Sequence, residues 1–504
     1  MAAQTDSVDG HRLLDSLRRR LSRGGREVAL HETHLSWILL AGRMAVKLKK
    51  PVRLPFVDFS TWDARRRACV AELRLNRRLA PHLYRRVVDV CGAADAPRFG
   101  RGGEPIDALV CMRRFPDGAL MSERLAAGRL EPCHVERLAL HVARFQDAAE
   151  IVSDKRHPVR RAVEPVARVI EQLASFEAAA WIGVARHWLE DEGARLGPVF
   201  RRRLAAGAVR DGHGDLHLAN AVVLGDDATA FDCIEFDPSL RRIDVMADIA
   251  FVTMDLEAHG RPDLAHRFLD AYLAARGDFE GLAVLRFHEA ARACVRRLVQ
   301  RLSPGGLALG DTDYRAVATR KMSQPPAPRL AITCGPSGSG KSTLAARLVD
   351  VTGAIRVRSD VERKRLAASG RGDGEPLYGS DMTQRTYARL AACARAALAA
   401  GHDVIVDAAF LQRPQRDAFA RLAKELGVTF TMLAFDAPVA ELARRVRARR
   451  ARGTDPSDAD EAVLAAQLHD RDPIGADEAR FTVHVDTLES VDARDLASAW
   501  RNRR

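Results

Sequence analysis

A glycine-rich octapeptide beyond the middle of the chain is the feature that most constrains its fold. Residues 335–342 read Gly-Pro-Ser-Gly-Ser-Gly-Lys-Ser, which matches the pattern G-x-x-x-x-G-K-[ST] at every fixed position. An apolar run at 330–334 precedes the octapeptide, and a run with helical periodicity at 344–348 follows it. Glycines let the backbone curl so that successive N–H groups point inward at phosphate oxygens. The order of strand, glycine turn and helix therefore predicts a phosphate-binding loop, the P-loop, in an α/β domain.

The P-loop predicts a site for ATP and Mg²⁺. Lys341 would reach the β- and γ-phosphates, Ser342 would ligate Mg²⁺, and the helix N-terminus would add a favourable dipole. The predicted nucleotide-binding residues of this site are Gly335, Pro336, Ser337, Gly338, Ser339, Gly340, Lys341, Ser342 and Thr343.

The residues around the P-loop alternate between strand-like and helix-like patterns. Strict alternation of the two element types predicts a doubly wound parallel sheet with helices on both faces. The candidate strands are 330–334, 355–359, 403–407, 429–435 and 482–486.

Proline-rich and glycine-rich residues separate this region from the first part of the chain. Residues 303–306 read Ser-Pro-Gly-Gly, and residues 324–328 read Gln-Pro-Pro-Ala-Pro. Proline stiffens a connector and cannot continue a helix or a strand ladder. We therefore expect a kinase-sized domain at 1–320, a linker at 321–329 and a P-loop domain at 330–504.

The first part of the chain begins with a β-rich pattern and continues mainly as helix. Strand-like runs at 36–40 and 44–49 flank Ala-Gly-Arg as a hairpin, and an arginine-rich helix is predicted at 63–80. From about residue 133 onward the pattern is mostly helical, apart from a β-rich insertion near 209–237. The expected architecture is a small β lobe joined to a larger α lobe, an α+β fold.

Composition and charge narrow the class of protein. Of the 504 residues, 47% are hydrophobic and 29% are charged, as in ordinary globular proteins, and no apolar stretch is long enough for a membrane span. The eight cysteines are scattered without a C-x-x-C pair and the N-terminus lacks a signal-peptide pattern, so we expect a cytoplasmic protein. The net charge of +12 permits nucleic-acid binding but does not favour it, because the arginines are spread over many helices.

A second phosphoryl-transfer pattern lies in the first part of the chain. Residues 213–220 read His-Gly-Asp-Leu-His-Leu-Ala-Asn and keep the spacing H-x-D-x-x-x-x-N. This segment resembles the catalytic loop of the aminoglycoside phosphotransferase and choline kinase group, relatives of protein kinases. The resemblance implies that Asp215 orients an acceptor hydroxyl and accepts its proton, and that Asn220 holds Mg²⁺.

Residues upstream of this loop support the resemblance in the expected order. Met-Ala-Val-Lys at 44–47 resembles the V-A-I-K strand, which places Lys47 at the α- and β-phosphates. Glu72, in the helix that follows, is then the ion-pair partner that orients this lysine. Residues 110–114 resemble the connector between the two lobes.

The segment after the loop resembles the strand in which these kinases keep a second metal carboxylate. Residues 231–237 read Phe-Asp-Cys-Ile-Glu-Phe-Asp, so the carboxylate is either Asp232, at the start, or Glu235, by analogy with the family's I-D-F-E. One departure is that no G-x-G-x-x-G loop precedes Lys47. A kinase-like scaffold that binds nucleotide without transferring phosphate therefore stays an alternative.

A further set of residues follows the P-loop. Arg-Ser-Asp-Val-Glu-Arg at 358–363 resembles small P-loop kinases such as gluconate kinase, zeta toxins and the kinase part of polynucleotide end-repair enzymes. The resemblance implies that Asp360 activates an acceptor hydroxyl and that Arg363 holds the acceptor; the alternative for Asp360 is a helix N-cap. The apolar strand 403–407 ends in Asp407, the position that orders the Mg²⁺ shell.

Arginines crowd one predicted helix near the end of the chain. This helix resembles the mobile lid of small P-loop kinases, where one or two arginines close on the transferring phosphate. We assign that role to Arg449 and Arg452 and expect the others to form a solvated face. The set comprises Arg444, Arg445, Arg447, Arg449, Arg450 and Arg452, followed by Gly-Thr-Asp-Pro at 453–456.

Nearly the whole chain resembles bacterial two-domain proteins that fuse an aminoglycoside-phosphotransferase-like domain to a P-loop ATPase or kinase domain. The resemblance implies an ATP-dependent phosphotransferase with two nucleotide sites, acting on small-molecule hydroxyl acceptors. The positive net charge does not indicate the acidic pocket that an aminoglycoside would need. Two alternatives stay open. One is a nucleic-acid 5′-hydroxyl kinase or nucleic-acid-binding ATPase, and the other is a P-loop ATPase gated by an inactive kinase-like domain.

Overall fold

The computed structural model forms two compact units. It describes residues 2–25, 27–54, 57–100, 102–302, 312–369, 379–452 and 459–502. Unit 1 comprises residues 1–162 and 201–255, and unit 2 comprises residues 163–200 and 256–504. The glycine-containing segment 303–306 lies outside the described residues. Each unit is a group of residues in mutual contact, which need not coincide with a domain of the sequence. The domain division at 321–329 therefore stays a prediction.

Unit 1 combines an antiparallel sheet with helices and short hairpins. Its elements are α1 (Ala2–Leu21), β1 (Val28–Glu32), β2 (Ser36–Ala41), β3 (Met44–Lys49), β4 (Arg53–Leu54), β5 (Val57–Asp58), α2 (Trp62–Asn76), β6 (Tyr84–Ala93), β7 (Ala96–Phe99), β8 (Pro105–Arg113), α3 (Met121–Ala126) and α4 (Pro132–Ala148). Helices α5 (Pro158–Leu173) and α6 (Ala179–Ala205) follow in the chain, and each contributes residues to both units. They are followed by β9 (Val209–Asp211), β10 (Ala221–Leu224), β11 (Asp227–Ala230), β12 (Arg242–Asp244) and α7 (Val245–Ala258).

The main sheet of unit 1 has six antiparallel strands in the order β1-β2-β3-β8-β6-β7. The predicted hairpin is confirmed as β2 and β3, which are joined by the dipeptide Gly42-Arg43. Gly42 takes a φ of 58°, a left-handed conformation that such a short turn requires and that glycine adopts without steric cost.

The two faces of this sheet differ in chemistry. Side chains alternate along β3, so Val46 and Leu48 lie on one face, where they pack with Leu17 of α1 in a buried cluster. Lys47 and Lys49 lie on the other face, where both contact α2. Helix α1 was not predicted from the sequence, although it covers the apolar face of the sheet.

Three predicted boundaries in this unit are corrected by the structure. Helix α2 ends at Asn76, and residues 77–80 continue as tight turns. Residues 110–113 lie within β8, so the chain leaves the sheet only after Arg113. Residues 231–237 do not form a strand, because their N–H groups bond to the neighbouring loop and to the Asn76 side chain instead of a ladder.

Unit 2 contains the P-loop and the helices that precede it. Its further elements are α8 (Pro262–Arg276), α9 (Leu282–Leu302), α10 (Tyr314–Met322), β13 (Arg329–Cys334), α11 (Lys341–Thr352), β14 (Ile355–Arg358), α12 (Ser359–Ser369), α13 (Ser380–Ala399), β15 (Val404–Asp407), α14 (Arg413–Leu426), β16 (Thr429–Asp436), α15 (Val439–Arg452), α16 (Glu461–His469), β17 (Thr482–Asp486) and α17 (Ala493–Arg501). Helices α8 and α9 pack against this α/β region within the same unit.

Five parallel strands form the sheet of unit 2 in the order β14-β15-β13-β16-β17. All five predicted strands are confirmed, each with bounds within one residue of those predicted; at the second, Ser359 already begins helix α12. The strand of the P-loop lies at the centre, so the carboxyl ends of β13 and β15 open onto the same crevice. Among the described residues, no helix is long and apolar enough to cross a membrane.

Candidate active sites

The loop 213–220 is held by the backbone groups around a buried histidine. His213 Nδ1 accepts the N–H of Asp215 at 3.2 Å, so Nε2 carries the proton and donates it to the Phe231 carbonyl at 2.8 Å. Burial lowers the pKa of His213, which keeps the ring neutral and suits this tautomer. Two backbone hydrogen bonds link this loop to the segment 231–237. The Phe231 N–H donates to the Asn220 carbonyl, and the Ile234 N–H donates to the His213 carbonyl. The catalytic-loop segment and the acidic segment 231–237 are therefore one hydrogen-bonded assembly.

Two buried aspartates on α7 anchor this loop, and sequence reasoning missed both. The Asp248 carboxylate accepts the N–H groups of His213 and Gly214, each at 2.9 Å, and Asp255 accepts the N–H of Leu218 at 3.0 Å. The two aspartates are seven residues apart, so two helical turns place them on one face of α7. A pair of acids at this spacing in a mainly apolar helix is the signal that could have revealed them.

Asp215 and Asn220 are in direct contact. The Asn220 amide Nδ2 donates to the Asp215 carbonyl at 2.9 Å and to its carboxylate at 3.1 Å. His217 Nε2 lies 3.4 Å from the same carboxylate. Asp215 keeps 37% of its side chain exposed, so a hydroxyl can reach it from solvent. This is the arrangement that a positioned general base needs, and the roles of these residues stay predictions.

Lys47 contacts both its predicted ion-pair partner and a candidate metal carboxylate of unit 1. Its Nζ lies 2.9 Å from Glu72 and 2.6 Å from Asp232, and only 9% of the Lys47 side chain is exposed. Burial alone would lower the pKa of Lys47, but the charges of Asp232 and Glu72 raise it well above its usual value. The sequence-based pairing of Lys47 with Glu72 is therefore present as a buried contact.

A second lysine, which sequence reasoning missed, pairs with one of the two candidate metal carboxylates. Lys49 Nζ lies 2.7 Å from Glu72 and 2.5 Å from Glu235, with 1% of its side chain exposed. Burial raises the pKa of Glu235 against the opposing effect of Lys49. Burial would likewise raise the pKa of Glu72, yet the two lysines lower it to about 2. The alternation of lysines at 47 and 49 was the available signal, since residues two apart in a strand share a face.

Asp232 is better placed than Glu235 to receive a cation. Asp232 has 38% of its side chain exposed, whereas Glu235 has 7% and is held by Lys49. The backbone of Asp232 takes a φ of 62°, a strained conformation for a non-glycine residue that is frequent at functional sites. Oxygen ligands from Asp232 and Asn220 suit Mg²⁺, so the residues present fit the metal.

The P-loop of unit 2 has a backbone that other residues could not adopt. Gly335 and Gly338 have φ values of 154° and 83°. A Cβ on Gly338 would lie 2.6 Å from the Leu442 carbonyl, and one on Gly335 would lie 2.5 Å from the Phe435 carbonyl. These glycines therefore permit both the curl of the loop and its close packing on β16 and α15.

The side chains at the P-loop fit a magnesium nucleotide. Ser342 Oγ donates to Asp407 Oδ1 at 3.0 Å, and Lys341 Nζ donates to the Pro336 carbonyl at 3.1 Å. Asp407 is buried, and within the described part of the chain its Oδ2 has no hydrogen-bond partner; Arg358 Nε lies 3.8 Å away. A buried carboxylate oxygen without a hydrogen bond beside a serine hydroxyl is a suitable place for Mg²⁺.

Three charged residues act on Lys341. Burial lowers its pKa, Asp407 and Asp360 oppose that effect, and Arg449 adds to it. The structure therefore brings Asp360, Asp407 and Arg449 close enough to Lys341 to influence its charge. A buried lysine with a lowered pKa gains most from an anionic ligand, as phosphate oxygens would provide.

The predicted acceptor residues lie where α12 leaves β14. Asp360 is in the first turn of α12, and Arg363, one turn later, is buried with its Nη1 3.2 Å from Thr383 Oγ1. Opposite them, the Tyr387 hydroxyl accepts the N–H of Phe410, whose φ of 47° is unusual for a non-glycine residue. Burial raises the pKa of Tyr387 to about 12, so it stays a neutral phenol. The strained residue lies three positions after Asp407, in the loop that leaves the carboxyl end of β15.

Helices α15 and α16 contact the P-loop through residues that differ from the arginines predicted to act there. Arg445 donates to the Gly338 carbonyl at 3.4 Å and to the Thr487 hydroxyl at 2.9 Å. Gln467 of α16 accepts the N–H of Ser337 at 2.8 Å. Sequence reasoning placed Arg445 on the solvated face and did not consider Gln467, because neither contact follows from helical periodicity.

The two arginines predicted to close on phosphate are only partly described. Arg449 is half-buried, and its Nη2 donates to the Ala459 carbonyl at 2.9 Å. Its positive charge contributes to the lowered pKa of Lys341. The side chain of Arg452 and residues 453–456 lie outside the described residues. The lid roles of both arginines stay predictions.

Comparisons with known proteins show the family to which the chain belongs. A family described as an AAA domain matches residues 330–474. An uncharacterised protein of Mycobacterium tuberculosis and one of Mycobacterium bovis are each 32% identical over 462 residues, which cover 88% of this chain and 91% of the relative. The chain belongs to the same family as these mycobacterial proteins.

Solved structures also align with each part of the chain. A choline/ethanolamine kinase family protein from Mesorhizobium loti is 13% identical, with a TM-score of 0.35, and covers 62% of this chain and 92% of its own. A gluconokinase from Sinorhizobium meliloti is 20% identical, with a TM-score of 0.26, and covers 34% of this chain and 89% of its own.

Proposed function

We propose that the protein is an ATP-dependent phosphotransferase with two magnesium-nucleotide sites, each of which transfers phosphate to a small-molecule hydroxyl. The observation that carries the proposal is the P-loop site, where Ser342 pairs with Asp407 and Lys341 lies within the charge environment of Asp360. A nucleotide site, a metal-binding carboxylate and a candidate base occur together there. These are the parts that phosphoryl transfer needs, since its catalysis is mainly positioning and charge stabilisation.

At the P-loop site, the residues of the chain would bind and align the reactants. Backbone N–H groups at the start of α11 would hold the phosphates, and Lys341 would neutralise charge as it develops on them. Ser342 and Asp407 would hold Mg²⁺, which supplies further neutralisation of the phosphate oxygens when bound. Arg449 would approach from α15 to stabilise the transferring group.

The acceptor of the P-loop site would carry a hydroxyl and an anionic group. Asp360 would accept the proton of the hydroxyl, because it lies near Lys341 at the open end of the sheet. Arg363 would bind the anionic group through its guanidinium, whose planar fork suits carboxylates and phosphates. The burial of Arg363 supports this role, since a desolvated guanidinium binds anions more strongly than an exposed one.

The site of unit 1 would use side chains for the same tasks. Lys47 would move from Asp232 to the phosphates of the nucleotide, and Asp232 and Asn220 would then hold Mg²⁺. Asp215 would accept the proton of a second acceptor hydroxyl. The support is the contact of Asp215 with Asn220 and of Lys47 with Asp232, which keeps all four groups in one assembly.

Transfer of ³²P from γ-labelled ATP to a metabolite pool tests the proposal on the full chain. The wild type should label acceptors, Lys341→Ala and Asp215→Asn should each remove a different subset, and the double variant should remove all. Hydrolysis of ATP without any labelled acceptor would indicate a gated ATPase instead. Labelling confined to added 5′-hydroxyl oligonucleotides, with strongly salt-dependent binding, would favour the nucleic-acid kinase.

A further inference from the structure

Helix α8 lies along α11, the helix that begins at the P-loop lysine. Near the far end of α11, Asp350 pairs with Arg267, and its carbonyl lies 3.1 Å from His266 Nδ1. Near the P-loop end, Asp270 of α8 pairs with Arg356 of β14. All these residues belong to unit 2, so α8 braces α11 at two separate points. Only the second point is close to the predicted metal residues.

Arg356 connects α8 to the P-loop through three hydrogen bonds. Its Nε and Nη2 donate to the Asp270 carboxylate at 3.2 and 2.6 Å, and its Nη1 donates to the Ser342 carbonyl at 3.3 Å. The hydroxyl of Ser342 in turn donates to Asp407. A continuous path therefore runs from Asp270 through Arg356 and Ser342 to Asp407.

The geometry of Arg356 depends on its carboxylate partner. The side chains of Arg356 and Asp270 are 8% and 9% exposed, so neither charge is well solvated. Removal of Asp270 would leave the guanidinium buried without compensation, and a buried unpaired charge is strongly unfavourable. The guanidinium would then move toward water or toward another carboxylate. In either case its bond to the Ser342 carbonyl would weaken.

We infer that Asp270 and Arg356 are positioning residues for the magnesium site of the P-loop. They fix the first turn of α11, so that the Ser342 hydroxyl and the Asp407 carboxylate keep the spacing that a cation requires. This inference rests on the proposed function of the P-loop as a magnesium-nucleotide site. It assigns part of that site to a helix that precedes the linker 321–329, so the P-loop region is completed by the sequence before it.

A binding experiment on the full chain separates positioning from simple helix docking. Affinity for a fluorescent ADP analogue is measured with and without Mg²⁺, and each protein is compared with its Lys341→Ala counterpart to isolate the P-loop site. Asp270→Asn should weaken binding in Mg²⁺ about tenfold, the usual effect of removing a residue that supports metal ligands. Without Mg²⁺ the affinity should stay within about twofold of the wild type, because the glycine loop before Ser342 also binds the phosphates and is held by its packing on β16 and α15, not by Arg356.

Arg267→Gln is the matched control, since it breaks the other α8–α11 contact without touching Ser342 or Arg356. It should leave both affinities unchanged. Arg356→Lys is the second test variant. A lysine ammonium keeps the positive charge but cannot donate hydrogen bonds to both Asp270 and the Ser342 carbonyl in the geometry of the planar guanidinium. It should show the same Mg²⁺-specific loss, and it decides the question if Asp270→Asn fails to fold.

The outcomes distinguish this inference from the function on which it rests. Equal losses in Asp270→Asn and Arg267→Gln, or equal losses with and without Mg²⁺, would mean that α8 only docks the helix, and the inference would be wrong. An unchanged Mg²⁺ response in both folded test variants would overturn it as well. If the wild type bound no nucleotide beyond its Lys341→Ala counterpart, the proposed P-loop site itself would be wrong.

Discussion

The two candidate sites hold their charges in opposite ways. In unit 1, five charged side chains pair with one another: Lys47, Lys49, Glu72, Asp232 and Glu235. In unit 2, Lys341 bonds to a carbonyl, and one oxygen of Asp407 is buried without a hydrogen bond among the described residues. The first site must exchange ion pairs when phosphates arrive, whereas the second has a preformed backbone cradle.

This difference means that function and stability are coupled in one site and separable in the other. Each charge in unit 1 compensates a buried neighbour, so removal of one leaves another without a partner. The P-loop residues Lys341 and Ser342, by contrast, do little to compensate the buried charges of other residues. Variants that test the sites should therefore differ in their effect on the free energy of unfolding as well as on activity.

The largest effect is expected for Asp215→Asn. This variant should lower phosphate transfer at the unit 1 site by roughly 10²- to 10⁴-fold, because the proton acceptor is lost while size and polarity are kept. Titration calorimetry should show that Mg²⁺-ATP still binds. Asp226→Asn, a fully exposed aspartate of the adjacent hairpin, is the control and should behave as the wild type. Loss of ATP binding in Asp215→Asn would place this residue among the metal ligands.

Lys341→Ala should lower the activity of the P-loop site by roughly 10²- to 10³-fold, since a positive charge near the transferring phosphate is lost. The melting temperature should change little, in contrast to variants of the unit 1 cluster. Lys424→Ala, at an exposed lysine of α14, controls for the loss of one positive charge. The full chain should be used, because α8 and α9 pack on the P-loop region. Unchanged turnover would contradict the assignment of this loop.

Glu72→Gln tests the coupling of charge and stability in unit 1. The variant should lose about 3 kcal/mol of unfolding free energy at neutral pH, measured by urea denaturation, because the folded pKa of Glu72 is about 2 against a usual 4.5. Glu32→Gln is the control: Glu32 also pairs with a lysine, Lys50, but is 56% exposed, and it should cost about 0–1 kcal/mol.

The pH dependence of this stabilisation has a definite sign. A carboxylate with a depressed folded pKa contributes stability above its unfolded pKa and loses that contribution as the pH falls through the folded value. The wild type should therefore lose the Glu72 contribution between pH 4.5 and about 2, and Glu72→Gln should have a flatter profile over the same window. Parallel profiles for both proteins would show that the lysines do not stabilise this charge.

The smallest effect is expected on the nucleotide affinity of Asp360→Ala, which should stay within about threefold of the wild type while transfer to the acceptor is lost. The reason is that Asp360 lies in the first turn of α12, outside the P-loop, where we propose that it acts on the acceptor hydroxyl. Calorimetry with Mg²⁺-ATP checks the affinity. A fall in affinity as large as that of Lys341→Ala would assign Asp360 to the metal ligands. The proposed separation of acceptor-binding from nucleotide-binding residues would then be wrong.

Contiguous motifs were predictable because their residues encode their own backbone geometry. The P-loop glycines adopt positive φ values that other residues disfavour, and the apolar run before them forms the central strand β13. The same holds for the hairpin around Gly42 and for the five strands of the parallel sheet. Boundaries were less predictable: Ser359 already begins helix α12, and residues 231–237 formed no strand because tertiary hydrogen bonds use their N–H groups.

The amino-acid sequence by itself determined the P-loop and the five strands of the parallel sheet, and it predicted which residues would act on phosphate. Only the tertiary structure decided which charged groups pair: Lys49 with Glu235, Asp248 with the loop at His213, and Asp270 with Arg356. The physical reason is that glycine turns and apolar periodicity are local properties. The partner of a buried charge depends on which distant surface packs against it, since burial makes pairing necessary without specifying the partner.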